Sequence, residues 1–188
     1  VFIIAFISQK INPTPAGATE EMINMLEDKT GQMISISFLV LNAVGAILPA
    51  FVLNPLTHKF GRIKVNSISM AIMAIGYLVI VLVARDEYIL YGMMAVCGVG
   101  WAALVSLPFA IMSEKVNKNR MGFFMGIFNM SIVIPQLLVS VVVGKFVNDA
   151  ADKSLVFIIS GVAVAISATL WYFFKEERSV LKDLEESA

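Results

Sequence analysis

Residues Gly98 to Gln136 read GVGWAALVSLPFAIMSEKVNKNRMGFFMGIFNMSIVIPQ. Two apolar runs, Tyr88 to Met112 and Met121 to Val147, flank a short basic loop carrying Lys115, Lys118 and Arg120. A helix rises about 1.5 Å per residue, so each run is long enough to cross the roughly 30 Å hydrocarbon core of a bilayer. The stretch reads as a helical hairpin in a membrane, and its few polar and small residues fall at helical intervals.

Composition extends that reading to the whole chain. Apolar residues make up 59% of it and the mean hydropathy is +0.84, against roughly 45–50% apolar content in soluble domains. The excess comes in blocks of about 20 residues, which marks transmembrane helices. The expected fold class is an all-α membrane protein. The 14 basic and 14 acidic residues lie almost wholly between the blocks, so their zero sum says little about partners. No basic cluster with interleaved aromatics points to nucleic acid. Cys97 is the single cysteine, which rules out an intrachain disulfide and leaves no metal-ligand cluster. No nucleophile, base and orienting residue occur together, so neither a catalytic site nor a cofactor is expected.

The opening VFIIAFIS, residues 1–8, is too short to span a bilayer and lacks the basic n-region of a signal peptide. It reads as the end of a truncated helix, and the chain as a fragment. Residues 9–31 contain Pro13, Pro15 and the acids Glu20, Glu21, Glu27 and Asp28. They are expected to form a loop, with an amphipathic turn or two over Thr19–Met25. Five complete spans follow within a bundle over 32–174: Gln32–Pro55, Val65–Ala84, Tyr88–Met112, Met121–Val147 and Ser154–Phe174. Residues 175–188 form a charged tail.

Basic residues on alternate sides are unequal. One side carries Lys59, Arg62, Lys64, Lys115, Lys118, Arg120, Lys175, Arg178 and Lys182; the other carries Lys10, Lys29, Arg85, Lys145 and Lys153. The positive-inside rule assigns the richer side, and with it the C-terminus, to the cytoplasm, and the 9–31 loop to the outside.

A charge at mid-bilayer costs at least about 2.5–3.5 kcal/mol and marks ion or proton relays; no span carries one at mid-depth. The polar pattern lies instead on the fourth span. Gly122, Gly126, Asn129, Val133, Gln136, Ser140 and Gly144 are three or four residues apart throughout, so they form one narrow stripe. Two readings stay open. Gly122 and Gly126 fit a close-approach packing motif with amides as interhelical glue. Alternatively, Asn129 and Gln136 line a polar cavity, where an amide offers both donor and acceptor to a substrate hydroxyl.

On the third span, Trp101 lies near mid-depth, away from the interfacial belts, either packed in the core or serving as a platform for the C–H face of a sugar ring. On the first span Asn42 is the strongly polar residue at mid-depth, with packing and substrate contact both open. Pro49, Pro108 and Pro135 are expected to bend their helices. His58 reads as a solvated loop histidine.

Two motifs carry a family resemblance. HKFGRIK, His58 to Lys64, joins two spans and resembles the short basic loop motif D-R-x-G-R-[RK] of the major facilitator superfamily, built here from His58, Lys59, Gly61, Arg62 and Lys64. His58 stands where the family has Asp, Lys59 where it has Arg, and Ile63 at the final basic position, with Lys64 one residue further on. SLPFAIMSEKV and NRMGFFMGIFNMSIVIPQLL are similar to sucrose- and maltose-type cation symporters of that superfamily, related to the glycoside-pentoside-hexuronide symporters. There a G-x-Y-M-G-I-F-N-x-x-I-V-x-P-Q pattern follows an S-x-P-[FY]-A segment; Phe124 replaces the Tyr.

The resemblance covers about Ser35 to Phe174. It implies the C-terminal six-helix half of a twelve-helix major facilitator fold, with five complete spans plus the end of one truncated span. It further implies sugar or glycoside symport with H⁺ by alternating access, in a plasma or inner membrane, with Asn129 and Gln136 facing a central cavity. The implied partners are a sugar, H⁺, the lipid bilayer and a missing N-terminal half. Two competing readings are a transporter of another small solute, such as a drug or an organic anion, and a non-transporting receptor or assembly subunit. An anion would favour a buried Arg or Lys, which these spans lack; uptake into proteoliposomes separates the second.

Overall fold

The structure, a computed structural model, describes residues 2–174; the expected tail, 175–188, lies outside the described residues. Hydrocarbon offers no hydrogen bonds to the backbone, so each apolar block satisfies its own N–H and C=O groups by coiling into a helix. The helices are α1 (Phe2–Lys10), α2 (Glu20–Leu48), α3 (Asn54–Phe60), α4 (Arg62–Val83), α5 (Glu87–Lys115), α6 (Met121–Asp149) and α7 (Leu155–Phe173). A π-helical turn, Pro49–Leu53, joins α2 to α3, and a 3-10 turn, Lys118–Arg120, leads into α6. Five segments are long and apolar enough to cross a membrane: Glu20–Phe60, Arg62–Val83, Glu87–Lys115, Lys118–Val147 and Leu155–Phe173. They correspond to the five expected spans.

The segment 9–31 departs from expectation, because α2 begins at Glu20 and its second half is helix. The local chemistry explains the difference. Thr19 caps the helix by accepting from the Met22 N–H at 3.4 Å, and Glu20 and Glu21 lie in the first turn, where negative charge opposes the helix dipole. The preceding loop is held down by Asn12, whose Nδ2 donates to Leu26 O at 2.8 Å and to Thr30 Oγ1 at 3.1 Å.

Pro49 has no N–H to give, and the chain answers with the wider π turn, in which the Asn54 N–H bonds to Pro49 O. Helix then continues through His58 and Lys59 to Phe60. The expected basic loop is thus reduced to a single residue, Gly61, at φ 87° and ψ 151°. That backbone region is open to glycine and almost nothing else, so Gly61 alone turns the chain from α3 into α4.

Four helices pack in a row, α2 against α5, α5 against α4, and α4 against α7. The contacts are made where small residues let backbones approach. On α5, a Cβ at Gly98 would lie 2.8 Å from Val44 Cβ on α2, and a Cβ at Gly100 would lie 2.3 Å from Met73 Cβ and 2.7 Å from Ser69 O on α4. On α7, Gly161 faces Leu78 and Ala74 O of α4, and Ser67 Oγ donates to Ala168 O at 2.7 Å. The core along the row includes Met33, Leu41, Met73, Ile80, Leu90, Met94 and Cys97. Phe6 of α1 closes one end edge-on against Phe157 of α7, with ring centroids 4.8 Å apart.

α6 stands apart from this row. Its residues 121–142 are exposed or at most half-buried, and Gly144 and Val147 near its far end are buried. Phe128, in the first third of α6, meets Phe109 of α5 edge-to-face at 4.5 Å.

Glycine substitutions separate these roles. Gly61→Ala is expected to cost about 1–3 kcal/mol through backbone strain. Gly100→Ala is expected to cost about as much through overpacking. Gly92→Ala, with nothing within 4 Å, should be neutral or stabilising by up to ~1 kcal/mol. Unfolding of the purified variants in detergent, followed by far-UV circular dichroism, checks the ranking; equal stability of all three contradicts it.

Candidate functional site

The α2–α5 pair holds two of the four residues expected to bind solute. Trp101 is half-buried, and its indole lies on Gly45 of α2, where a Cβ would come within 2.9 Å of Trp101 Cδ1. The glycine provides a floor for the ring that no other residue type would leave open. Asn42 lies one turn before Gly45 on α2, exposed, with its Nδ2 donating back to Phe38 O at 2.8 Å. That bond uses one donor and leaves the second N–H and the amide oxygen for another partner.

The other two lie on α6. Asn129 and Gln136 are both exposed, and among the described residues neither amide has a hydrogen-bond partner. Gly122 and Gly126 meet nothing within 4 Å of an added Cβ. The packing reading of this stripe is therefore not realised among the described residues. From Gly122 to Ser140 the stripe is an open face, and the described chain does not fold it over Asn42 and Trp101. Pro135 lies within α6 and Pro108 within α5, both inside continuous helix. Ser106 Oγ donates to Ala102 O at 2.7 Å one turn before Pro108, the local back-bond expected of a serine in a membrane helix.

Charged contacts occur at the two ends of the bundle. At the end of the basic motif, Arg62 Nη1 pairs with Glu114 Oε2, tying the start of α4 to the end of α5. A count of the basic residues near the α5–α6 connection leaves out Glu114, the partner of Arg62. An acid one residue from Lys115 in a basic connection was the signal available. Lys59 lies with its Nζ 5.2 Å from the centroid of the exposed Phe60 ring. His58 and Lys64 are exposed.

At the opposite end, Lys29 pairs with Glu87 at 3.7 Å, and the end of α1 is clipped to the α6–α7 connection. Gln9 Nε2 donates to Ala151 O at 2.7 Å and Gln9 Oε1 accepts from the Lys153 N–H at 2.7 Å. Lys10 pairs with Asp152 at 3.1 Å. Lys153 Nζ reaches Val147 O and Ala150 O, the last carbonyls of α6. Hydrogen bonds from the Ser154 backbone N–H, then from its side chain, then from Lys10 hold the Asp152 carboxyl down to about 2.

A depressed carboxylate stabilises the clip when ionised. Its contribution is complete above the ordinary value near 3.8 and is lost as pH falls through about 2. Asp152→Asn should therefore speed amide hydrogen exchange over residues 150–154 at pH 5–7, with the difference from wild type disappearing towards pH 2. A difference that persists undiminished at pH 2 contradicts the assignment. For the Arg62–Glu114 pair, whose side chains are 30% and 61% exposed, a double-mutant cycle with Arg62→Gln and Glu114→Gln is expected to give a coupling of about 0.2–1 kcal/mol. Zero coupling would show that the contact contributes nothing.

Among the described residues no group of His, Cys, Asp and Glu side chains could hold a metal ion. What the arrangement offers is a polar face on a helix long and apolar enough to cross a membrane, beside a bundle whose helices meet at glycines. A family model described as Major Facilitator Superfamily matches residues 2–188. No curated protein and no solved structure matches the chain. Since the match covers nearly the whole sequence, the chain belongs to the major facilitator superfamily: it is a multi-pass integral membrane protein of a family of transporters that move small solutes across membranes.

Proposed function

We infer that the chain forms one wall of the solute path of a secondary transporter that carries a sugar or glycoside together with H⁺ by alternating access. The observation that carries this reading is the open α6 stripe, in which Asn129 and Gln136 lie exposed and unbonded among the described residues. An amide facing hydrocarbon forfeits its hydrogen bonds, at a cost of roughly 2–7 kcal/mol. A helix with two such amides and two glycines on one open face is stable in a membrane when that face meets protein or a water-filled cavity.

Asn129 and Gln136 are seven residues apart on the stripe, about 10 Å along the axis, a span suited to two hydroxyl-bearing rings. Each amide presents a donor and an acceptor, which is what a sugar hydroxyl needs. Asn42 and Trp101 supply a second wall on α2–α5: one more amide, and an indole face for the apolar side of a ring. A second helical bundle, the N-terminal half implied by the resemblance, would close over α6. Rocking of the two bundles about the midplane would open the path to either side. Arg62 and Lys59 act at the basic end, which the charge asymmetry turns towards the cytoplasm. With no carboxylate at mid-depth, the residue that carries the coupled proton lies outside these spans.

Gln136→Ala in the complete transporter is expected to weaken sugar uptake about tenfold, the loss of one or two hydrogen bonds, without lowering the amount of protein in the membrane. Leu138→Ile, on the other side of the helix, should leave uptake unchanged. Radiolabelled sugar uptake into proteoliposomes with and without a pH gradient is the measurement. Unaltered kinetics for Gln136→Ala remove that residue from the site, and the absence of any gradient-dependent uptake removes proton coupling.

A further inference from the structure

Away from the α6 stripe, the seam between α4 and α7 carries an open groove of about 390 Å³. Its walls are Ala71, Ala74 and Leu78 on α4 and Ala165, Ala168 and Tyr172 on α7. Of its three hydroxyls, that of Tyr172 belongs to the exposed α7 end of the groove, and the other two are occupied. Ser67 Oγ donates to Ala168 O at 2.7 Å, and Thr169 Oγ1 donates to Ala165 O at 2.8 Å. The walls therefore present carbon and offer little hydrogen bonding to a polar ligand, so the occupant that fits is a hydrocarbon chain.

The groove has a depth and a polarity. From Ser67 to Leu78 it follows α4 for eleven residues, about 16 Å, which is half of a roughly 30 Å hydrocarbon core and so the depth of one leaflet. Ser67 bonds to Ala168 and Gly161 meets Leu78, so α7 runs antiparallel to α4 here, and the end of α7 lies beside the Ser67 end of the groove. Trp171, Tyr172, Phe173 and Phe174 cluster at that end, an aromatic group of the kind that lies at headgroup level. Lys64 sits just beyond, three residues before Ser67 and seven before Ala71, on the same face of α4. It is exposed, and among the described residues it makes no ion pair.

We propose that this groove is a binding site for one anionic phospholipid, with an acyl chain lying along the α4–α7 seam and the phosphate at Lys64. A cation at the mouth favours a net-negative headgroup, and the leaflet-deep alanine channel receives the chain. The site shares no lining residue with the solute path formed by Asn42, Trp101, Asn129 and Gln136.

The test is native mass spectrometry of the complete transporter in detergent with equal amounts of phosphatidylglycerol and phosphatidylcholine of identical chains. A single lysine near the headgroups contributes about 1 kcal/mol, so wild type is expected to retain phosphatidylglycerol about fivefold over phosphatidylcholine. Lys64→Gln should bring the ratio to one while some lipid of both kinds stays bound. Ala71→Phe or Ala165→Leu, which fill the groove from opposite walls, should reduce retention of both lipids, with circular dichroism confirming that each variant is folded. Added inorganic phosphate should not displace the lipid. An unchanged ratio in Lys64→Gln overturns the proposal, as does unchanged retention in a folded groove-filling variant. Displacement by free phosphate would likewise overturn it, because the chain would then contribute nothing. A second copy of the protein in place of lipid at the seam, detected as a dimer that Ala71→Phe dissolves, also overturns it.

Discussion

Hydrocarbon cannot hydrogen-bond, and most of the architecture follows from that one constraint. It forces every apolar block to be helical and favours small residues where helices meet. It also makes an unpartnered amide on a helix surface a statement about what lies opposite. Ser67, Ser106 and Thr169 satisfy the constraint through backbone carbonyls. Asn42 does so in part. Asn129 and Gln136 do not, and the open face they share on α6 is where the chain looks outward for its partners.

α5 is the mechanical centre. Gly98 admits α2 on one side and Gly100 admits α4 on the other, so neither glycine can gain a methyl without pushing two helices apart. Trp101 fills the next turn against Gly45. The ends of the bundle are clipped by charge and polar contacts: Arg62–Glu114 at one end, and Lys29–Glu87 with the Gln9, Lys10 and Asp152 knot at the other. A tightly packed middle with exposed, individually weak end contacts suits an assembly whose halves must move as bodies.

Much of this was legible in the sequence, because membrane helices announce themselves by length and hydropathy. The five spans agree with the helices to within a few residues at most ends. The largest disagreement, at Glu20, arose because the start of α2 depends on the Thr19 cap and helix-forming residues outside the apolar block. Gly61 was visible as part of a motif, yet its role as the entire connection required its φ of 87°. The stripe on α6 was readable from spacing alone. What spacing could not decide was whether another helix of the same chain covers it, since the partner of a face is a tertiary property. For the same reason Glu114 went unnoticed as the counterion of Arg62, and Gly45 as the floor beneath Trp101: each pair is brought together only by packing.

The central claim is that the α6 stripe borders an aqueous path while the rest of that helix meets lipid or protein. Cys97 is fully buried, so single cysteines can be introduced along α6 of the complete transporter and exposed in membranes to a water-soluble, membrane-impermeant maleimide. Labelling is expected at Gly126, Asn129, Gln136 and Ser140, with protection by substrate, and little at Phe124, Ile127, Ile134 and Leu138 on the opposite side. Equal labelling on both sides of the helix, or none at Asn129 and Gln136, would contradict the account.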